Sequence, residues 1–251
     1  MNQVTDIVNR AIWKVTSRIP MKPFNLNKSK PIVSFTFDDC PKTAITAGAR
    51  TLEQNDVAGT FYVCGGLTDK YESEMLCHSK DDLLQLIDEG HEIGSHLFHH
   101  KNCRNLSKEE IRKEIDLNDA FFDEIHQDRK LINFAYPFGG VTLTARNIAR
   151  KSFVTSRGIR PGINRGVVDF SNLLANSLYV STKSKEDIRT LIGQTVSSKG
   201  WTIFYTHDVD NTPSKWGTTP ELLDFAVKYA LESGCQILTI RNAIGTVGFR
   251  Q

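Results

Sequence analysis

Asp38 and Asp39 stand side by side at the end of the run Ile32–Cys40, IVSFTFDDC. Two adjacent carboxylates repel each other unless something positive sits near them. Further along, HEIGSHLFHHKN places His96 and His100 four residues apart, with His99 as a third imidazole beside them. Two neutral imidazoles and one carboxylate make a three-ligand set for a divalent cation with one position left open, the arrangement of a catalytic zinc site. Such a cation is the positive charge that the Asp pair requires. Neighbouring side chains at a strand end point in different directions, so one aspartate can ligate while the other faces a water on the metal. The ion lowers the pKa of that water from about 16 to roughly 7, and the second carboxylate can take its proton. Each feature alone has a plainer reading: a turn or helix cap for the Asp pair, hydrogen-bonded surface imidazoles for the histidines.

The elements that must bring these groups together follow from the pattern around them. A strand over Ile32–Asp38 buries Ile32, Val33, Phe35 and Phe37. Next come a helix over about Thr43 to Asn55, the strand AGTFYVCG, a helix capped by Ser79 with Asp82 three residues on, and the strand HEIGSH. A long helix opens on the capping box Ser107 to Glu110; LINFAYPFGG, a helix over Leu143–Lys151 and FVTSR follow. The stretch GIRPGINRGVVDFSNLLAN reads as irregular. It leads to the strand SLYVS, a helix opening at Ser184, the strand WTIFYTH, a helix begun by Thr219 and Pro220, and the strand CQILTI. This alternation, without repeats or linkers, predicts one α/β domain over 31–251, a distorted (β/α) barrel of seven to eight parallel strands. A helical extension over 1–30, with Ile7, Ala11, Ile12 and Val15 on one face, is expected to precede it. Barrel sites gather at the C-terminal strand ends, and Asp38-Asp39, SHLFHH, YPFGG and THDVD all fall at such ends.

Composition narrows the function classes. A net charge of +2 over 251 residues, with no basic stripe interleaved with aromatics, argues against a nucleic-acid partner. Five scattered cysteines without CxxC spacing argue against a disulfide framework and for a reducing compartment. The N-terminus has no apolar signal-peptide core, and no stretch approaches the ~20 apolar residues of a spanning helix. The expected location is the cytoplasm, with at most peripheral contact with the inner membrane through the amphipathic N-terminal face.

Taken together and in order, the motifs resemble those of the polysaccharide deacetylases, carbohydrate esterase family four. SFTFDDC resembles the family's T-F-D-D-G, SHLFHH its H-[ST]-x-x-H, FAYPFG its R-x-P-[YF]-G, and IFYTHDV the last motif, which ends in a catalytic His. The resemblance covers about Ile32 to Asp208. It implies metal-dependent removal of an N-acetyl, less often O-acetyl, group from a sugar, with zinc as the expected metal. Carried over, Asp38 is the general base, Asp39, His96 and His100 bind the metal, and His99 stays outside the set. His207 is the general acid, and the backbone N–H of Phe138 helps to hold the oxyanion. Tyr136, Phe138 and Trp216 are candidates to stack on sugar faces.

Three positions depart from the pattern. Cys40 replaces a Gly, Leu97 replaces a Ser or Thr, and Ala135 replaces the Arg that in the family steadies the base. Arg157, at the end of the neighbouring strand FVTSR, is expected to send a guanidinium into the same space, with Arg160 as the second candidate. The plainer reading of both is anion binding or a surface ion pair. FAYPFG followed by RGIRPGIN and WTIFYTHDV looks like a bacterial branch of the family. The expected substrate is an acetamido sugar of a bacterial surface glycan or its precursor, as an acetylated oligo- or polysaccharide or linked to lipid or nucleotide. The rivals are an allantoinase-type small-molecule amidohydrolase on the same fold and a non-catalytic glycan-binding module.

Overall fold

All six residues of Ile32–Phe37 are buried, Ser34 and Thr36 included, because this strand is central to a parallel sheet with side chains packed on both faces. Its hydroxyls are satisfied: Ser34 donates to the Leu238 carbonyl at 2.6 Å and Thr36 to that of Phe204 at 2.9 Å. The computed structural model describes residues 19–26, 30–126 and 130–248. In chain order the strands are β1 (Pro23–Leu26), β2 (Ile32–Phe37), β3 (Thr60–Val63), β4 (Tyr71–Glu72), β5 (Met75–Leu76), β6 (Glu92–Ser95), β7 (Asn133–Ala135), β8 (Thr155–Arg157), β9 (Gly166–Asp169), β10 (Asn176–Ser177), β11 (Trp201–Thr206) and β12 (Gln236–Ile237).

Parallel pairing runs β10-β11-β2-β3-β6-β7-β8, and β12 adds to the first two residues of β2. The two edges of this curled sheet are joined by one irregular segment. Leu173 bridges to Arg157 at the end of β8, and Asn176 and Ser177 pair with Phe204 and Tyr205 of β11. The fold is a distorted (β/α) barrel, as the alternation of elements predicts. Three of its helices start on capping boxes, Ser79 with Asp82, Ser107 with Glu110 and Ser184 with Asp187. One core lies between strands and helices, where Phe35, Phe37 and Phe61 meet Leu83, Ile115 and Leu223. A second, around Trp201, Ile203, Phe170 and Leu173, fills the other side of β2 and β11.

Three segments differ from the sequence pattern. Within the stretch 1–30, expected as a helical extension, the described residues 19–26 and 30 hold a strand at Pro23–Leu26, paired antiparallel with β9. Phe24 stacks on Phe170 at 4.5 Å and Leu26 is buried, so this part belongs to the domain and moves its boundary toward the N-terminus. The amphipathic positions Ile7, Ala11, Ile12 and Val15 lie outside the described residues. The stretch read as irregular contains β9, and the final strand stops at Ile237, after which Thr239 caps a helix over Ile240–Thr246. All five cysteines are buried and free. No helix among the described residues is long and apolar enough to cross a membrane.

Candidate metal centre and active-site cleft

The ladder of β2 continues one residue past the strand, since the Asp38 amide donates to the Thr206 carbonyl at 2.9 Å. The chain then turns through two left-handed residues, Asp39 (φ 61°) and Cys40 (φ 51°). This turn aims the Asp39 carboxylate at the end of β6. Asp39 Oδ1 lies 3.4 Å from His96 Nε2 and 3.1 Å from His100 Nε2, and Oδ2 lies 3.8 Å from His207 Nε2.

The far side of each of these two imidazoles is tied. His96 Nδ1 bonds the Ala135 carbonyl at 2.8 Å, and His100 Nδ1 bonds Glu72 Oε1 at 3.0 Å. A ring that donates from Nδ1 and carries no proton on Nε2 turns the Nε2 lone pair toward Asp39. Burial, opposed by the Asp38 and Asp39 charges, pushes the His96 pKa down to about 4, so this ring is neutral near pH 7. Asp39 Oδ1 is buried with no hydrogen-bond partner. Three acceptors that converge without a donor fit a cation, and Asp39, His96 and His100 are close enough to share one.

His99 is elsewhere: its amide and Nδ1 bond the carboxylate of Glu114 on the helix Lys108–Ile125. A second cluster, Glu53, Glu89 and His91, has the wrong tautomer for a metal. His91 Nδ1 accepts the Gly59 amide at 3.0 Å, so the proton of the neutral ring stays on Nε2.

Arg157 sits directly opposite Ala135 in the β7–β8 register. Its guanidinium lies between the rings of Tyr62 and Tyr205, 4.7 and 5.2 Å from their centroids, and Nη2 donates to Asp38 Oδ1. Burial alone would raise the Asp38 pKa. The charge of Arg157 and its hydrogen bond outweigh it and hold the carboxyl below its ordinary value. A side chain from the adjacent strand therefore stands where Ala135 leaves room.

The cleft above these groups measures about 290 Å³. Asp38, Asp39, Glu72 and the three histidines 96, 100 and 207 form its floor, and Met75, Phe138, Ile159 and Trp216 line it with apolar surface. Phe138, left-handed at φ 56° and exposed, stacks on the His100 ring at 4.4 Å. His207 Nδ1 lies 3.2 Å from the Trp216 carbonyl, leaving Nε2 for the cleft. The loop that carries Trp216 is held by Asp208, which accepts the Ser214 amide at 2.6 Å and its hydroxyl at 2.7 Å. Any Cβ at Gly217 would strike that carboxylate.

Residues 25–155 match the polysaccharide deacetylase family, over half of the chain. The chain belongs to that family. It is 26% identical over 123 residues to the peptidoglycan-N-acetylglucosamine deacetylase PgdA of Listeria monocytogenes, covering 48% of this chain and 24% of that protein. The chitooligosaccharide deacetylase of Azorhizobium caulinodans is 26% identical over 137 residues, 54% of this chain and 59% of that one. The chain thus spans between a quarter and three fifths of these relatives. Among solved structures, a family 4 acetyl xylan esterase from Clostridium thermocellum, in complex with a cobalt ion, superposes with a TM-score of 0.60 at 22% identity. That match covers 85% of this chain and 90% of the esterase, and it shows the shared fold.

Within this polysaccharide-deacetylase frame, the places of Tyr136 and Arg160 differ from those expected. Tyr136 borders the cleft but is 1% exposed, packs edge-to-face on Phe134 and donates its hydroxyl to the Ser171 carbonyl, so it offers a sugar no ring face. Arg160 does not line the cleft, and the contact with Asp38 is made by Arg157. The sequence pattern missed Glu72, the Ala135 carbonyl and the tyrosines around Arg157. A carbonyl carries no sequence signal, and Tyr62 and Tyr205 read as ordinary strand aromatics.

Proposed function

We propose that this chain is a metal-dependent N-deacetylase acting on an acetamido sugar of a bacterial surface glycan or its precursor. Asp39, His96 and His100 would hold one divalent ion, and a set of two nitrogens and one oxygen favours zinc. When bound, such an ion acidifies water and polarises a carbonyl oxygen. Asp38, kept charged by Arg157, accepts the proton of the attacking water. The Phe138 amide donates to the developing oxyanion. His207, oriented through the Trp216 carbonyl, presents Nε2 to the cleft and gives a proton to the departing amine nitrogen. Phe138 and Trp216 offer faces to a pyranose ring.

The observation that carries this reading is Asp39 Oδ1, buried and unpartnered before two imidazole nitrogens, with a charged carboxylate next to it. Metal analysis combined with acetate release from acetylated chitooligosaccharides, peptidoglycan fragments and acetylated xylan tests it. The expected result is about one divalent ion per chain and acetate from the N-acetylated substrates. Cleavage of small ureides without acetate release would favour the amidohydrolase. Glycan binding with neither metal nor turnover would favour the non-catalytic module. We place the reaction in the cytoplasm or at the inner membrane face, on a glycan under assembly, free or linked to lipid or nucleotide; fractionation of native cells checks the location.

A further inference from the structure

The two imidazoles of the centre are held in different ways. His96 leans on a main-chain carbonyl of β7, inside the sheet. His100 leans on a side chain, Glu72, from the hairpin made by β4 and β5. In that hairpin Tyr71 faces Leu76 and Glu72 faces Met75. Glu72 and Met75 line the cleft while Tyr71 and Leu76 are exposed, as the alternation of a strand requires. The turn is Ser73 and Glu74, both left-handed at φ 47° and 71°, the conformation of a two-residue hairpin turn built here without glycine.

The base of the same hairpin is stitched to the other ligand. The Cys77 amide donates to the Lys70 carbonyl at 2.8 Å, Pro41 and Cys77 form a bridge, and the His78 amide donates to the Cys40 carbonyl at 3.1 Å. Cys40 directly follows Asp39. One short element therefore holds the turn that follows Asp39 through the backbone and His100 through a carboxylate.

We propose that the hairpin Tyr71–Leu76 is a clamp on the metal centre, with Glu72 as the positioning residue that aims His100 Nε2 at Asp39. This rests on the reading of Asp39, His96 and His100 as metal ligands. Glu72 accepts the Nδ1–H hydrogen bond, fixes the tautomer and ring angle, and makes Nε2 a stronger electron-pair donor. An isolated two-stranded hairpin is only marginally stable, so the clamp depends on its stitched base and on the imidazole it holds.

Zinc titrated into metal-stripped protein against a chromophoric chelator tests the clamp without reference to turnover. Glu72→Ala should weaken zinc binding by about 10–100-fold. Glu72→Gln, whose amide oxygen still accepts from Nδ1, should lose less. His99→Ala should bind as the parent does, and the metal-free melting temperatures of all four proteins should coincide. The clamp is overturned if Glu72→Ala binds zinc as tightly as the parent, if Glu72→Gln is as weak as Glu72→Ala, or if His99→Ala loses as much. It is equally overturned if a drop in metal-free melting temperature accompanies the loss, since Glu72 would then be supporting the fold. A parent that takes up no zinc overturns the metal reading itself, and the clamp with it.

Discussion

Arg146 and Arg157 are both buried to 1% exposure or less, and each is paired with an aspartate. Their surroundings are opposite. Arg146 ties three chain segments together: it donates to the Ile19 carbonyl at 2.6 Å, to Ser171 Oγ and to Asp169, which in turn accepts the Lys22 and Ser171 amides. Arg157 reaches one carboxylate, two ring faces and, at 3.4 Å, only the carbonyl of its own neighbour Gly158, and that carboxylate lines the cleft. A guanidinium saturated with hydrogen bonds from separate segments is a fastening. One that sits between aromatic rings and directs its charge at a single acid sets the state of that acid.

The contrast can be broken or sharpened by substitution. Removing the acid sets the ceiling: Asp38→Asn should cost roughly 10²–10⁴-fold in rate and leave metal content unchanged, whereas Asp39→Asn should lower metal content too. Equal metal loss in both variants would refute the division between base and ligand. Arg146→Ala comes next. It should destabilise by roughly 3 kcal/mol, a fall in melting temperature of roughly 6–12 °C for a chain of this size, with activity per folded molecule kept.

Arg157→Ala should keep metal and fold but slow the reaction. In the parent, Arg157 holds the Asp38 pKa down, so the base stays ionised as pH falls. Without Arg157, burial dominates and the pKa rises, so the acidic limb of the rate profile should move to higher pH. Arg157→Lys, with charge but no planar fork, should recover part of the rate and part of the limb. A full rate and unmoved limb in Arg157→Ala would make the two arginines alike after all. The smallest effect belongs to His99→Ala, which should leave both metal content and rate unchanged, because its ring bonds Glu114 and not the centre.

What the sequence made legible was local. The apolar run ending in two aspartates, the histidine spacing and the capping boxes each declare themselves within a few residues. What it hid was long-range or unmarked. β1 finds β9 across some 140 residues, and neither alternates strongly enough to announce a strand. The hairpin at 71–76 turns on Ser73 and Glu74, where a glycine or asparagine would have flagged it. Tyr136 and Phe138 look equivalent in FAYPFGG, yet one points into the core and the other out of it. The left-handed backbone at Phe138 decides this, and no residue type in the motif announced it.

The burial of the five cysteines gives the chain an internal clock for its own opening. Burial pushes the thiols of Cys77 and Cys103 up to about 12 and that of Cys235 to about 11, and holds Cys40 and Cys64 well above the ordinary thiol value, so almost no reactive thiolate exists in the native state at neutral pH. An alkylating reagent should pass over the folded protein and mark only molecules that have opened. The order of marking would tell which motion came first. A label that arrives at Cys77 ahead of the others times the release of the hairpin from the Asp39 turn, and five labels arriving together time the collapse of the whole barrel.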